Sequence, residues 1–179
     1  MLQSEIVLPE TKPETEWIDG HAVQKVSPTY DHALLQQRIG SWLGSWVEET
    51  RLGRSGTEWR FRVAPPDEVV RPLVPDVSYL SYEALPKGVP REQLAVPLGA
   101  PTVAFEILSP DDRKRNVESK IRTLLSAGTQ AIVVIDPKHE TVTVHDASGT
   151  AAYAVPDTVS HTSMPGFSIS LLRLFADMD

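Results

Sequence analysis

Two carboxylates of this 179-residue chain stand in sequence surroundings that should exclude water. Glu106 lies inside Thr102-Val103-Ala104-Phe105-Glu106-Ile107-Leu108, a nearly continuous apolar run, and Asp76 opens the apolar stretch that follows Pro75. A carboxylate in such a run must bind a metal, pair with a cation or keep its proton. The bland alternatives are a solvated strand face for Glu106 and a Pro-Asp turn for Asp76. Two acids on neighbouring strands can converge on one hard cation, which takes oxygen ligands and keeps several waters. A cation so held polarises a phosphate and lowers the pKa of a bound water. Lys120 is the third candidate: Val117 and Leu124 bracket it at helical spacing, which puts it on the flank of an apolar helix face. There it either snorkels to solvent or aims its ammonium at the strand end near Glu106. Glu16, His32 and Glu58 are auxiliary candidates. Glu16 reads more simply as a surface acid and His32 as a polar helix residue, and nothing in the sequence fixes the direction of Glu58.

Other chemistries find little support. The chain has no cysteine, so disulfides, zinc–thiolate sites and a thiol nucleophile are excluded, which fits a reducing compartment. His21, His139, His145 and His161 show no metal-ligand spacing. No glycine run has the GxGxxG or GxxxxGK form, and there is no GxSxG elbow. The net charge of −7 argues against a strong non-specific nucleic-acid binder, since phosphate contacts reward Lys and Arg. It leaves room for a nuclease, in which bound metal supplies positive charge at the site itself. Arg51, Arg54, Arg60, Arg62, Lys114 and Arg115 are candidate phosphate contacts, each equally well explained as a solvated charge.

The elements that must position these residues read as follows. Residues 1–15, with Pro9 and Pro13, are expected to be a flexible lead-in, and residues 16–179 a single domain. Glu16 to Val26 reads as two strands around an Asp19-Gly20 turn. Ser27-Pro28 predicts a helix start, and Leu35, Ile39, Trp42, Leu43, Trp46 and Val47 mark the buried side of that helix. Thr57 to Val63 alternates as one strand, and another begins just after Pro75. The run around Glu106 suits a central strand buried on both faces. Ser109-Pro110-Asp111-Asp112 predicts a helix cap, with a helix to about Ala127 and Gly128 ending it. Strands follow at 131–135, 141–145 and 151–155, then a short closing helix at 170–176. Strands flank helices and several are joined by hairpins. The fold class is therefore α/β with α+β character: a mixed, largely antiparallel sheet flanked by helices.

With these residues in view, the chain resembles the large bacterial "Uma-two" family of restriction endonuclease-like proteins, within the PD-(D/E)XK nuclease superfamily. The matching stretches are Trp17-Ile18-Asp19-Gly20, Ser27-Pro28 with His32, Pro75-Asp76-Val77, and Phe105 through Asp112 continuing to Lys120, Ala127-Gly128 and Asp136-Pro137, with a terminal Pro165-Gly166-Phe167. Their order and spacing over residues 16–176 carry the likeness. The resemblance implies a restriction-endonuclease-like core, and Mg²⁺ or Mn²⁺ held by Asp76 and Glu106 with the Ile107 carbonyl as a further ligand. The superfamily's simplest motif has a lysine two residues after the acid. Leu108 stands there, and Lys120 matches the place from which relatives supply the lysine on the next helix. His21 replaces a common acid and Leu124 a common aromatic.

Three functions are consistent with this reading. The first is a Mg²⁺-dependent DNA endonuclease using Asp76, Glu106 and Lys120. The second is a catalytically inactive nuclease-fold module for binding or assembly, favoured by the acidic charge and by Leu108. The third is a metal hydrolase of small phosphoesters. DNA is the expected partner, and pairing into a homodimer would suit a double-strand cutter. No stretch reaches the length of a membrane span, and the expected location is cytoplasmic.

Overall fold

The structure, a computed structural model, describes residues 4–178. Residues 1–3 of the expected lead-in and Asp179 of the expected domain lie outside the described residues. In chain order the elements are β1 (Thr15–Ile18), β2 (His21–Gln24), α1 (Tyr30–Thr50), β3 (Gly53–Thr57), β4 (Phe61–Val63), β5 (Arg71–Leu73), β6 (Val77–Ser81) and α2 (Arg91–Ala95). They continue with β7 (Val103–Ile107), α3 (Lys114–Ser126), β8 (Ala131–Asp136), β9 (Thr141–Asp146), β10 (Gly149–Ala154), β11 (Thr158–Ser160), β12 (Ser168–Ser170) and α4 (Leu171–Leu174).

Six strands form the central sheet in the order β10-β9-β8-β7-β6-β3. Only β7 and β8 run parallel; the other neighbours are antiparallel. Parallel neighbours need a crossover, and α3 supplies it. This is the mixed, largely antiparallel sheet with flanking helices that the sequence predicts. Three two-stranded ribbons surround it: β1–β2, β4–β5 and β11–β12.

The period of two along β7 divides the interior into two cores. Val103, Phe105 and Ile107 join Leu35, Ile39, Leu43 and Trp46 of α1 on one face. Ala104 faces the other way, into a core with Ile121 and Leu124 of α3, Ile132 and Val134 of β8, and Phe61, Leu73 and Ile18. Phe105 and Val103 are fully buried, as a strand covered on both faces requires. The residue between Phe105 and Ile107 therefore turns toward α3. The register pairs Val77 with Phe105, so one step further along the ladder Asp76 stands across from Glu106 on that same side.

The hairpin turn at Asp19-Gly20 has both residues at positive φ, as a two-residue turn between strands demands. Several boundaries depart from expectation. The α1 N-cap is Thr29, whose side chain accepts from His32 N, rather than Ser27. Thr57 to Val63 is not one strand: Glu58 takes φ 49°, and the chain turns there between β3 and β4. Ser109 to Asp112 closes a turn of its own, with Asp112 Oδ2 accepting from Ser109 N at 2.7 Å, and α3 begins only after Arg113. The strands β5, β11 and β12 are too short to register as periodic runs, and Pro72 inside β5 argued against one. Residues 4–6 lie against β5: Val70 N donates to Ser4 O, Ile6 N to Val70 O, and Arg62 pairs with Glu5. Gly53 in β3 packs directly on β6. A Cβ there would lie 2.5 Å from both the Leu80 carbonyl oxygen and a Tyr79 ring carbon.

Candidate active site

At the end of the sheet where β6 begins and β7 finishes, a cleft of about 510 Å³ opens between the β1–β2 hairpin, β7 and the start of α3. Its floor carries Glu16, Asp76, Glu106, Lys25, His32 and Lys120. Of these, Glu16, Asp76, His32 and Lys120 are all more than nine-tenths buried.

Asp76 is held from both faces of the sheet. Its Oδ1 accepts from Lys25 Nζ at 2.7 Å and lies 3.2 Å from His32 Nε2. Its Oδ2 accepts from the Ile107 backbone N–H at 2.7 Å. Burial works against its ionisation. Lys25, the hydrogen bond from His32 and the charge of Lys120 outweigh that, and they hold the carboxyl well below the usual carboxylate range.

Glu106 behaves oppositely. Lys120 Nζ lies 2.8 Å from Oε1 and 2.9 Å from Oε2, but only the second contact has hydrogen-bonding geometry. Among the described residues Oε1 is buried without a directed donor. Burial raises this pKa most. Lys120 opposes the rise, Asp76 and Glu16 add to it by repulsion, and the carboxyl is pushed up to about 8.

Lys120 does not snorkel. It is 6% exposed, and its ammonium contacts Glu16 Oε1 at 2.6 Å as well as Glu106 and the Val74 carbonyl. Burial would lower its pKa, but Glu106 and Glu16 raise it, so the side chain is charged. Glu16 is likewise not a surface acid: it is 4% exposed, and Oε1 also accepts from Val74 N at 2.6 Å. Its parity with buried Ile18 on β1 was the signal in the sequence that could have found it. His32, read from the sequence as a polar helix residue, is buried on α1 with its ring against Asp76. The direction of Glu58 is fixed by Lys25, 2.8 Å from Oε2, and by Gln36 Nε2, 2.9 Å from Oε1.

Lys25 and Gln36 are the participants that the sequence reading missed. Lys25 falls at the end of the expected second strand, where the sequence does not separate a buried lysine from an exposed one. Gln36 lies one turn beyond His32 on α1 and also donates to Asp76 O at 2.9 Å. The candidate phosphate contacts fare differently. Arg60 pairs with Glu14, Arg62 with Glu5 and Arg115 with Asp19, and Arg54 donates to the carbonyls of Leu85 and Pro86. Lys114 is 90% exposed and only 3.8 Å from Glu118, beside the cleft residues Arg113 and Arg115.

The donor set fits a hard cation in one respect. Two carboxylates stand side by side, and one of their oxygens, Glu106 Oε1, is buried with no hydrogen donor directed at it. Among the described residues no group of three or more His, Cys, Asp or Glu converges as a metal cage. A cation here would therefore draw its remaining ligands from water and backbone carbonyl. No helix among the described residues is long and apolar enough to cross a membrane.

Comparison with known proteins agrees with this architecture. A family model described as "Uma2: Putative restriction endonuclease" matches residues 2–172. The chain is 30% identical to a crystal structure from Anabaena variabilis ATCC 29413 described as a putative nuclease belonging to DUF820. That likeness has a TM-score of 0.82 and covers 94% of this chain and 93% of the other. No curated protein matches the chain.

Proposed function

The chain belongs to the Uma2 family, whose model is described as "Putative restriction endonuclease", and from that premise we propose that it is a metal-dependent DNA endonuclease. The observation that carries the reading is the juxtaposition of Asp76 and Glu106 across β6 and β7, with Lys120 charged and buried beside Glu106. Asp76 and Glu106 would hold Mg²⁺ or Mn²⁺, with the Ile107 carbonyl as a further ligand. When bound, such an ion supplies a positive charge that polarises the scissile phosphate and acidifies a coordinated water.

The chain's own residues do the rest. Lys25, His32 and the Ile107 N–H keep Asp76 ionised and fix its plane. Glu16, Glu106 and the Val74 carbonyl hold the Lys120 ammonium, so it would stabilise negative charge that develops next to Glu106 through its field and not through a free N–H. Glu58 and Gln36 brace Lys25 and the Asp76 backbone. Arg113, which lines the cleft, and the exposed Lys114 beside it would meet the DNA backbone there. Cutting both strands of a duplex would call for two copies of the chain.

One observation favours a second reading, a catalytically inactive nuclease-fold module. Both Asp76 oxygens already have protein partners, which is the arrangement of a closed site. Supercoiled plasmid incubated with Mn²⁺ or Mg²⁺ separates the two. Cleavage by the wild type, lost in Asp76→Asn and cut on the order of 10²-fold in Lys120→Met at a temperature where both variants are folded, supports the endonuclease. No cleavage of any DNA by a folded wild type moves the assignment to the inactive module.

A further inference from the structure

Lys25 is held more completely than catalysis by a mobile cation would allow. Its Nζ donates to Asp76 Oδ1 at 2.7 Å, Glu58 Oε2 at 2.8 Å and Val74 O at 3.0 Å. An ammonium has three N–H donors, and all three are spent on these oxygens. None is left for a substrate phosphate.

The oxygens are themselves built into place. Glu58 sits at φ 49°, and its backbone N–H donates to Asp76 O at 3.2 Å. Gln36 Nε2 bridges Glu58 Oε1 and that same Asp76 O, both at 2.9 Å. Val74 O is shared, since Lys120 Nζ reaches it from the other side at 3.3 Å. The Lys25 backbone is pinned as well, through its N–H to Glu14 O at 2.8 Å. Two carboxylates and a carbonyl are the donors a hard divalent cation takes. In this chain they converge instead on a covalently tethered ammonium.

We propose that Lys25 is a positioning residue whose ammonium fills what would otherwise be a second cation position beside Asp76, so that this site works with a single metal ion. The idea rests on the metal-dependent reading above and deepens it. Lys25 acts through Asp76, neutralising Oδ1, while Oδ2 accepts one hydrogen bond from the Ile107 N–H and keeps its second lone pair for the ion. Its removal takes from Asp76 Oδ1, Glu58 Oε2 and the Val74 carbonyl the ammonium they share, with only Lys120 still reaching that carbonyl. A free cation should then take the vacated position.

The test is a Mn²⁺ titration of wild type, Lys25→Ala and Lys25→Ala/Glu58→Gln, followed by calorimetry and by the spin coupling that paired Mn²⁺ ions show in electron paramagnetic resonance. Lys25→Ala should bind one more Mn²⁺ per chain than the wild type. Adding Glu58→Gln should abolish the extra site, and n-propylammonium should compete for it. Lys25→Arg, which keeps the charge, should bind no extra ion. Equal stoichiometry in wild type and Lys25→Ala would overturn the proposal. A wild type that binds no Mn²⁺ would refute the metal-dependent reading by itself, and the difference between the two proteins would still decide the role of Lys25. If Lys25→Ala does not fold unaided, Mn²⁺ or n-propylammonium must restore its thermal transition; failure of both overturns the idea.

Discussion

Glu106→Gln should make the metal-free protein more stable than the wild type at alkaline pH and leave the two nearly equal in mild acid. The Glu106 carboxyl has an ordinary value of 4.5 and is pushed up to about 8 in the fold. Between those values the folded chain keeps a proton that the unfolded chain has released. Stability must therefore fall as pH rises through that window. Below it both states are protonated and the group contributes nothing; above it the full penalty of a buried, poorly compensated charge is present. At roughly 1.4 kcal/mol per unit of displacement, the difference between mutant and wild type should reach on the order of 3–5 kcal/mol by pH 9. Gln resembles the protonated carboxyl and does not titrate, so it escapes that decline. Urea melts of both proteins at pH 5, 6.5, 8 and 9, without divalent ions, give the difference directly. Curves that stay parallel across this range would refute the account of Glu106. Mn²⁺ should reverse the effect for the wild type alone, because only an ionised Glu106 serves as a ligand.

Asp76 has the opposite sign: its depressed pKa gives stability that is present above the ordinary carboxylate range and lost as pH falls through the folded value, so Asp76→Asn should flatten the acid limb of the melting profile. Lys120→Met should destabilise by about 3–5 kcal/mol in urea melts, because it strands Glu16 and Glu106 in the interior, and adding Glu16→Gln should recover part of the loss. Phe105→Ala should cost about 3–5 kcal/mol, since the ring is fully buried at the centre of the sheet; a loss below about 1 kcal/mol would contradict its place in the core. Gly53→Ala should cost about 1–3 kcal/mol, because the backbone carbonyl of Leu80 cannot move out of the way of a Cβ.

The residues that sit in strongly periodic frames were legible in the sequence. The run around Glu106 is apolar enough that its one acid had to be special, and the spacing of Val117 and Leu124 put Lys120 on the correct flank of α3. The identity of its partner was another matter. Glu16 lies far from Lys120 in the chain, and only the folding of the β1–β2 hairpin over α3 brings them to 2.6 Å. Lys25 was invisible for the same reason, since its burial comes from Glu58, Val74 and Asp76 and from no neighbour in sequence. Glu58 shows the limit of alternation as a guide. Its side of the expected strand meant nothing once the backbone turned through the left-handed region at that residue. Capping patterns misled by a few positions: Ser27-Pro28 and Ser109-Pro110 both look like helix starts, yet each helix begins later.

The β1–β2 hairpin pairs only with itself and lies outside the six-stranded sheet, yet it brings Glu16 to the cleft and leads directly into Lys25. Two of the five charged residues on the cleft floor, Glu16 and Lys25, therefore ride on an element whose backbone hydrogen bonds do not depend on the central ladder. To open by itself while β6, β7 and β8 stay closed, such a unit would have to break the packing of Ile18 in the core and the contact of Glu16 with Val74 N. Each opening would carry Glu16 away from Lys120 and Lys25 away from Asp76, returning buried charges to water without unfolding the sheet. The local stability of a two-stranded ribbon therefore bears on the cleft, whose wall includes Asp19 of the ribbon's own turn.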